Sequence, residues 1–210
     1  MPRAMGVANW LVQYRADEMA APVDPMSLEK LVYYAQAFHL ALFNRPIFDD
    51  EIRAWRHGPV VRSVYGRYNG ALPIERPVGE VASLDQDTEA FLREVVSFFG
   101  GLTALTLSDA THQENPWKNA REGFSHDQNS DVHIPNAHLR EYYSRLIEEG
   151  ELALSRQELL SVLEEPRWGA LYVAGISARR MARHPLYRPI LAKKLSEPVD
   201  DGEDAGTDRA

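Results

Sequence analysis

The chain has 210 residues, 44% of them hydrophobic and 10% aromatic, which suits one domain with appendages and a sizeable core. It has no cysteine, so disulfides, thiol catalysis and thiolate metal sites are excluded together. The net charge of −8 argues against non-specific nucleic-acid binding, which needs phosphates neutralised by Lys and Arg.

That charge is unevenly spread. Residues 1–165 carry 15 basic and 25 acidic side chains, residues 166–196 carry seven basic and no acidic ones, and residues 197–210 carry one basic and six acidic. The segregation divides the chain into a main domain over 1–150, a helical basic extension over 151–196 and an acidic tail over 197–210. The tail, EPVDDGEDAGTDRA, has almost nothing to bury and is expected to be disordered. No run of about eighteen apolar residues is present to span a membrane. The opening MPRAMGVANW lacks the apolar stretch and cleavage site of a signal peptide. A cytoplasmic protein without membrane contact is expected.

Helical spacing of Val7, Trp10, Leu11 and Tyr14 predicts a first helix over Ala4–Arg15. In the second, Asp24 caps and Pro25 takes the first helical position, where no amide hydrogen is needed. Leu28, Leu31, Val32, Ala35, Phe38 and Leu42 form one apolar stripe, and Asn44 and Pro46 end it. Ile52–Arg56 reads as a strand entering a turn at Gly58-Pro59, with Pro59 opening a helix through Tyr68. Asn69-Gly70 and Pro73 break the pattern, and Leu72–Pro77 reads as a second short strand. Thr88–Phe99 is amphipathic, with Phe91, Leu92, Val95, Val96 and Phe99 inward. Short helices at Leu105–Thr111 and Glu114–Arg121, a polar loop at Gly123–Ser130, and an extended Val132–Ile134 follow. Asn136 caps a helix to about Glu148. Beyond it, Ser155 and Glu158 have capping-box spacing, and a further helix runs from Trp168 to about Arg183. The fold class is therefore mainly α: a compact multi-helix domain with a small β element and a disordered acidic C-terminal tail.

Motifs for catalysis are scarce. There is no GxGxxG, no phosphate-binding loop, no GxSxG and no HExxH. His126, Asp127, Asp131, His133 and His138 crowd into thirteen residues, but their spacing fits no common structural metal site. No metal, no cofactor and no catalytic residue is assigned.

Two segments stand apart. LEKLVYYAQAF at Leu28–Phe38 is followed about twenty residues later by AWRHGPVV at Ala54–Val61, and a third block, THQENPW, occupies Thr111–Trp117. Through Lys30, Leu31, Tyr33, Tyr34, Ala35, Ala54, Trp55, Gly58, Pro59 and Val60, these resemble the core of the Panacea-domain antitoxin family, which includes GepA-like phage-associated proteins and SocA-type proteolytic adaptors. The resemblance covers roughly the first 120 residues and thins after Ile147. It implies a non-enzymatic antitoxin that binds a cognate protein toxin, with delivery of the toxin to the ClpXP protease in the SocA-type branch. A homodimer is compatible with it.

On this reading the toxin-binding candidates are Tyr34, Trp55, His57, Tyr65, His112, Asn115 and Trp117. Tyr33 and Tyr34 occupy neighbouring helical positions and so are expected to face different ways, with the Tyr34 hydroxyl outward. The same residues have an architectural reading: Trp55 as a core anchor, Gly58 for its backbone freedom and Pro59 as a helix start. The candidates for a protease tether are Leu186, Tyr187, Arg188, Ile190 and Leu191, between Pro185 and the Lys193-Lys194 pair. Two rivals remain: a DNA-binding regulator acting through the 166–196 basic segment, and a small hydrolase using His57 and His112.

Overall fold

In a computed structural model, residues 1–71 and 73–151 are described. They form seven helices and a three-stranded sheet: α1 (Ala4–Glu18), α2 (Pro25–Phe43), β1 (Ile52–Trp55), β2 (Gly58–Val61), α3 (Arg62–Tyr68), α4 (Gln86–Phe99), α5 (Ala104–Gln113), α6 (Asn115–Ala120), β3 (His133–Ile134) and α7 (Asn136–Glu151). The mainly α class with a small β element is what the molecule has. The extension and tail, with Leu186, Tyr187, Arg188, Ile190 and Leu191, lie outside the described residues.

Helix α2 is the axis of the fold. Asp24 caps it, its Oδ1 accepting from the amides of Met26 (2.8 Å) and Ser27 (3.1 Å), and Asn44 closes it in the left-handed region at φ 53°. The sequence suggests one apolar stripe, yet every residue from Leu28 to Leu42 is buried. Helices α1, α4, α5 and α7 and strand β2 all pack against it. Each large apolar side chain so enclosed contributes on the order of 1.5–3 kcal/mol.

Complete burial obliges the polar residues of α2 to find partners inside the protein. Gln36 receives the amides of Ile47 and Phe48 and donates to the Phe48 carbonyl and to Asn136. His39 places Nδ1 2.7 Å from the Arg45 carbonyl, and burial pushes its pKa down to about 4. Glu29, Lys30 and the hydroxyls of Tyr33 and Tyr34 remain, and all belong to the candidate site.

The sheet has the order β2-β1-β3 and is antiparallel throughout. The turn falls at Arg56-His57, with Trp55 opposite Gly58 and Ala54 opposite Pro59. This corrects the expected helix start at Pro59: residues 58–61 are a strand, and α3 begins at Arg62. Proline is tolerated because β2 is an edge strand, where a missing amide donor need not break a ladder. The expected strand at Leu72–Pro77 reduces to a single bridge between Ile74 and Val23. The third strand is instead β3, paired with Ile52 and Arg53.

Candidate functional site

The β1–β2 hairpin is held by its main-chain carbonyls. Lys30 Nζ donates to Pro59 O (3.2 Å), Ser108 Oγ to His57 O (3.2 Å), Trp117 Nε1 to Trp55 O (2.9 Å) and Arg121 Nη1 to Ala54 O (3.2 Å). Strand β3 pairs with β1 only at Ile52 and Arg53. Trp117 and Arg121 therefore satisfy the carbonyls that the short sheet leaves over. Gly58 is required twice. Its φ is +102°, and a Cβ there would lie 2.8 Å from both Lys30 Cε and Thr111 Oγ1. The three blocks of the sequence are thus parts of one clamp, in which α2 and the α5–α6 segment grip the hairpin between them.

A second junction lies behind the clamp. Glu114, 1% exposed, accepts from three phenols: Tyr33 (2.8 Å) and Tyr143 (2.7 Å) on Oε2, and Tyr34 (3.1 Å) on Oε1. Burial raises this carboxyl to about 7, against the opposing pull of the three hydrogen bonds. The three phenols are pushed well above their usual range, first by burial and then by the Glu114 charge, so they remain donors. Tyr34 also stacks on Phe99 with ring centroids 4.1 Å apart. The expectation that Tyr34 shows its hydroxyl to a partner is therefore corrected. Tyr33 and Tyr34 both turn inward, because one buried carboxylate offers an oxygen to each.

In front of the clamp, a groove of about 1100 Å³ opens between the hairpin, the N-terminal end of α2, and the 124–131 loop. Trp55, His57 and Tyr65 line it together. Trp55 and Tyr65 meet edge to face at 4.7 Å, and Trp55 Nε1 donates to Asp131 Oδ1 at 2.8 Å. Asp131 is also ion-paired with Arg62. Leu105, 71% exposed, and Phe124, 36% exposed, add apolar surface. The loop bearing Phe124 is fixed by Arg121, whose Nη2 donates to the carbonyls of Ser125, His126 and Gln128. The same guanidinium lies over the rings of Trp117 (4.9 Å) and Phe124 (5.8 Å).

Glu29 and Lys30 line the groove from below, at 6% and 1% exposure. Burial raises the Glu29 carboxyl and lowers the Lys30 ammonium, and each partly offsets the shift of the other. Among the described residues they are not within ion-pair distance, and Glu29 Oε2 has no hydrogen-bond partner. Among the described residues, Arg56 hydrogen-bonds only to the ring of its neighbour His57.

The remaining candidates lie apart from the opening. Trp117 is buried at 5% exposure and serves the hairpin from within. His112 is half-buried against Trp117, with ring centroids 4.3 Å apart. Its pKa is pushed down to about 4, first by burial and then by Lys30. Asn115 is exposed on α6 but does not line the groove. Neither His57 nor His112 hydrogen-bonds a carboxylate among the described residues. No group of three or more His, Asp or Glu placed to hold a metal ion occurs among them either. No helix there is long and apolar enough to cross a membrane.

Sequence reading found the aromatic wall but missed Glu29, Arg56, Arg62, Leu105 and Phe124. One signal was available: adjacent charges at Glu29-Lys30 interrupt an otherwise apolar helix, and a charge placed there is either solvated or built into a site.

Residues 28–118 match the family model described as antitoxin SocA-like, Panacea domain. A relative, antitoxin SocA of Caulobacter vibrioides, is 28% identical over 128 residues, covering 54% of this chain and 68% of that protein. No solved structure matches. The resemblance drawn from the three sequence blocks is thereby shown, and the matched span contains every residue that grips the hairpin except Arg121.

Proposed function

We propose, for a chain that carries a Panacea domain of the SocA-like antitoxin type over residues 28–118, that it is a cytoplasmic antitoxin that binds a cognate protein toxin and holds it harmless. The observation that carries this reading is the family match itself, joined to the open groove on the hairpin face. The matched residues build a rigid hairpin, and the groove beside it exposes Leu105 and Phe124 next to Trp55 and Tyr65. Exposed apolar side chains gathered around aromatic and Arg residues are the composition of a protein-binding surface. Trp55, His57 and Tyr65 are the contact residues in this proposal, while Tyr34 and Trp117 support them from the interior.

The test is co-expression. The product of the adjacent reading frame should arrest growth when induced alone, and this chain should restore growth and co-purify with it. Arrest that persists despite full expression of the chain would overturn the reading. The finer proposal is adaptor activity, with residues 184–195 as the tether to ClpXP. Ending the chain after Arg183 should then preserve toxin capture but remove accelerated toxin turnover, because effective concentration at the protease is lost. Undiminished turnover by the shortened chain would refute it.

A further inference from the structure

The groove has a charged floor and an apolar wall, and its charges are unequally engaged. Two of its three acids are used within the protein. Asp24 Oδ1 accepts two α2 amides, and Asp131 receives Trp55 Nε1 and pairs with Arg62. The cations are less committed. Lys30 Nζ has one hydrogen bond, to Pro59 O, although an ammonium offers three donors. Arg56 has no carboxylate within ion-pair distance among the described residues, and His57 stands beside it. Pro25 and Met26 bring the positive end of the 19-residue helix α2 to the same floor. The exception is Glu29, whose Oε2 is buried without a hydrogen-bond partner among the described residues.

From these residues we infer that the groove binds an extended segment of the partner protein in which an acidic side chain stands next to a large apolar one. The inference rests on the toxin-binding reading above and adds what the bound segment must look like. The segment's carboxylate pairs with Arg56 at the groove surface, over the buried positive charge of Lys30. The neighbouring Leu, Phe or Trp covers Leu105 and Phe124 against the Trp55–Tyr65 wall. Fixed donors and a rigid aromatic wall are where binding energy concentrates in protein interfaces. The chain's own acidic tail, EPVDDGEDAGTDRA, has the charge but only one bulky aliphatic side chain, Val199, and so fits the floor without covering the wall.

The test uses the full chain with the intact product of the adjacent reading frame, and with an array of overlapping peptides tiling that product. Retained peptides should carry Asp or Glu next to Leu, Phe or Trp, and changing the acid to Ala should abolish retention. Arg56→Glu and Leu105→Asp, both at surface-accessible positions, should each weaken capture of the intact protein at least about tenfold with an unchanged circular dichroism spectrum. Arg56→Lys should restore most of the binding, and Arg145→Glu on α7 should have no effect. Intact binding that neither groove variant alters would overturn the inference and leave the antitoxin reading standing. Absence of binding by the unaltered chain would overturn both. Full displacement of the retained peptides by synthetic EPVDDGEDAGTDRA would make the tail the occupant and overturn the inference.

Discussion

Replacing Glu114 by Gln isolates the energetic role of the tyrosine-lined carboxylate. The folded-state pKa of Glu114 is raised from 4.5 to about 7, so the native state holds this proton more tightly than the unfolded chain does. The associated stability is fully present below about pH 4.5 and is lost as pH rises through 7. A shift of roughly 2.5 units corresponds to about 3 kcal/mol, a large share of a typical stability of about 5–15 kcal/mol. Glutamine keeps an oxygen for Tyr33 and Tyr143 and turns its amide toward Tyr34, whose phenol oxygen can accept. It cannot ionise. The assay is urea unfolding followed by tryptophan fluorescence at pH intervals from 5 to 8.5, on the original chain and on Glu114→Gln. His39 and His112, whose lowered pKa values give stability that is lost as pH falls, contribute equally to both and cancel in the difference, as does Glu29. The difference curve should tilt by roughly 2–2.5 kcal/mol against the unmodified chain between pH 5 and 8, the rest of the effect lying outside that range. Parallel curves across that range would refute the argument.

Gly58→Ala should cost at least about 1–2 kcal/mol from its positive φ alone, plus the displacement of Lys30, and an unchanged melting temperature would contradict the clamp. Arg121→Met removes the donor shared by four carbonyls; a loss of about 3 kcal/mol and rapid cleavage within residues 121–130 in limited proteolysis are expected. Leu92→Ala, at a fully buried position on α4, should cost about 2–5 kcal/mol through lost burial and a cavity, measured by urea unfolding. Lys30→Met removes the positive charge that partly offsets buried Glu29 and should destabilise the fold more at pH 8 than at pH 5 in urea unfolding, while partner capture falls.

The helical part of the fold was legible because its signals are local. Asp24-Pro25 and Asn44 bracket α2 as expected, and Phe91, Leu92, Val95, Val96 and Phe99 all face inward. What escaped depends on distant residues. Pro59 looks like a helix start until β1 is known to pair with β2 on one side and α2 and α5 to pack against it. The pairing of Ile52 with Ile134 spans some eighty positions, and nothing near either residue announces it. Tyr33 and Tyr34 seem destined for different faces at 100° per residue. Helical phase fixes where Cβ points, however, not where a phenol oxygen ends, and a common acceptor from another element draws both together. The groove was half legible: Trp55, His57 and Tyr65 flank one turn in sequence, whereas Leu105 and Phe124 reach it from other elements.

Lys30 joins the two halves of this molecule. As a structural residue it is a poor bargain: a fully buried ammonium holds a single 3.2 Å hydrogen bond to Pro59 O, and desolvating an ammonium costs several kcal/mol. Gly58 has to be glycine in part to make room for it. A methionine would fill the same space but would leave buried Glu29 without its neighbouring positive charge. The arrangement makes sense when the same ammonium forms the floor of the groove. On the proposed reading, a cation fixed by the clamp lends its charge to the groove floor without the loss of rotamer freedom that a surface lysine would suffer on binding. On that reading the hairpin clamp and the proposed binding groove share one charge: the three sequence blocks that fix the hairpin also fix the cation beneath the groove.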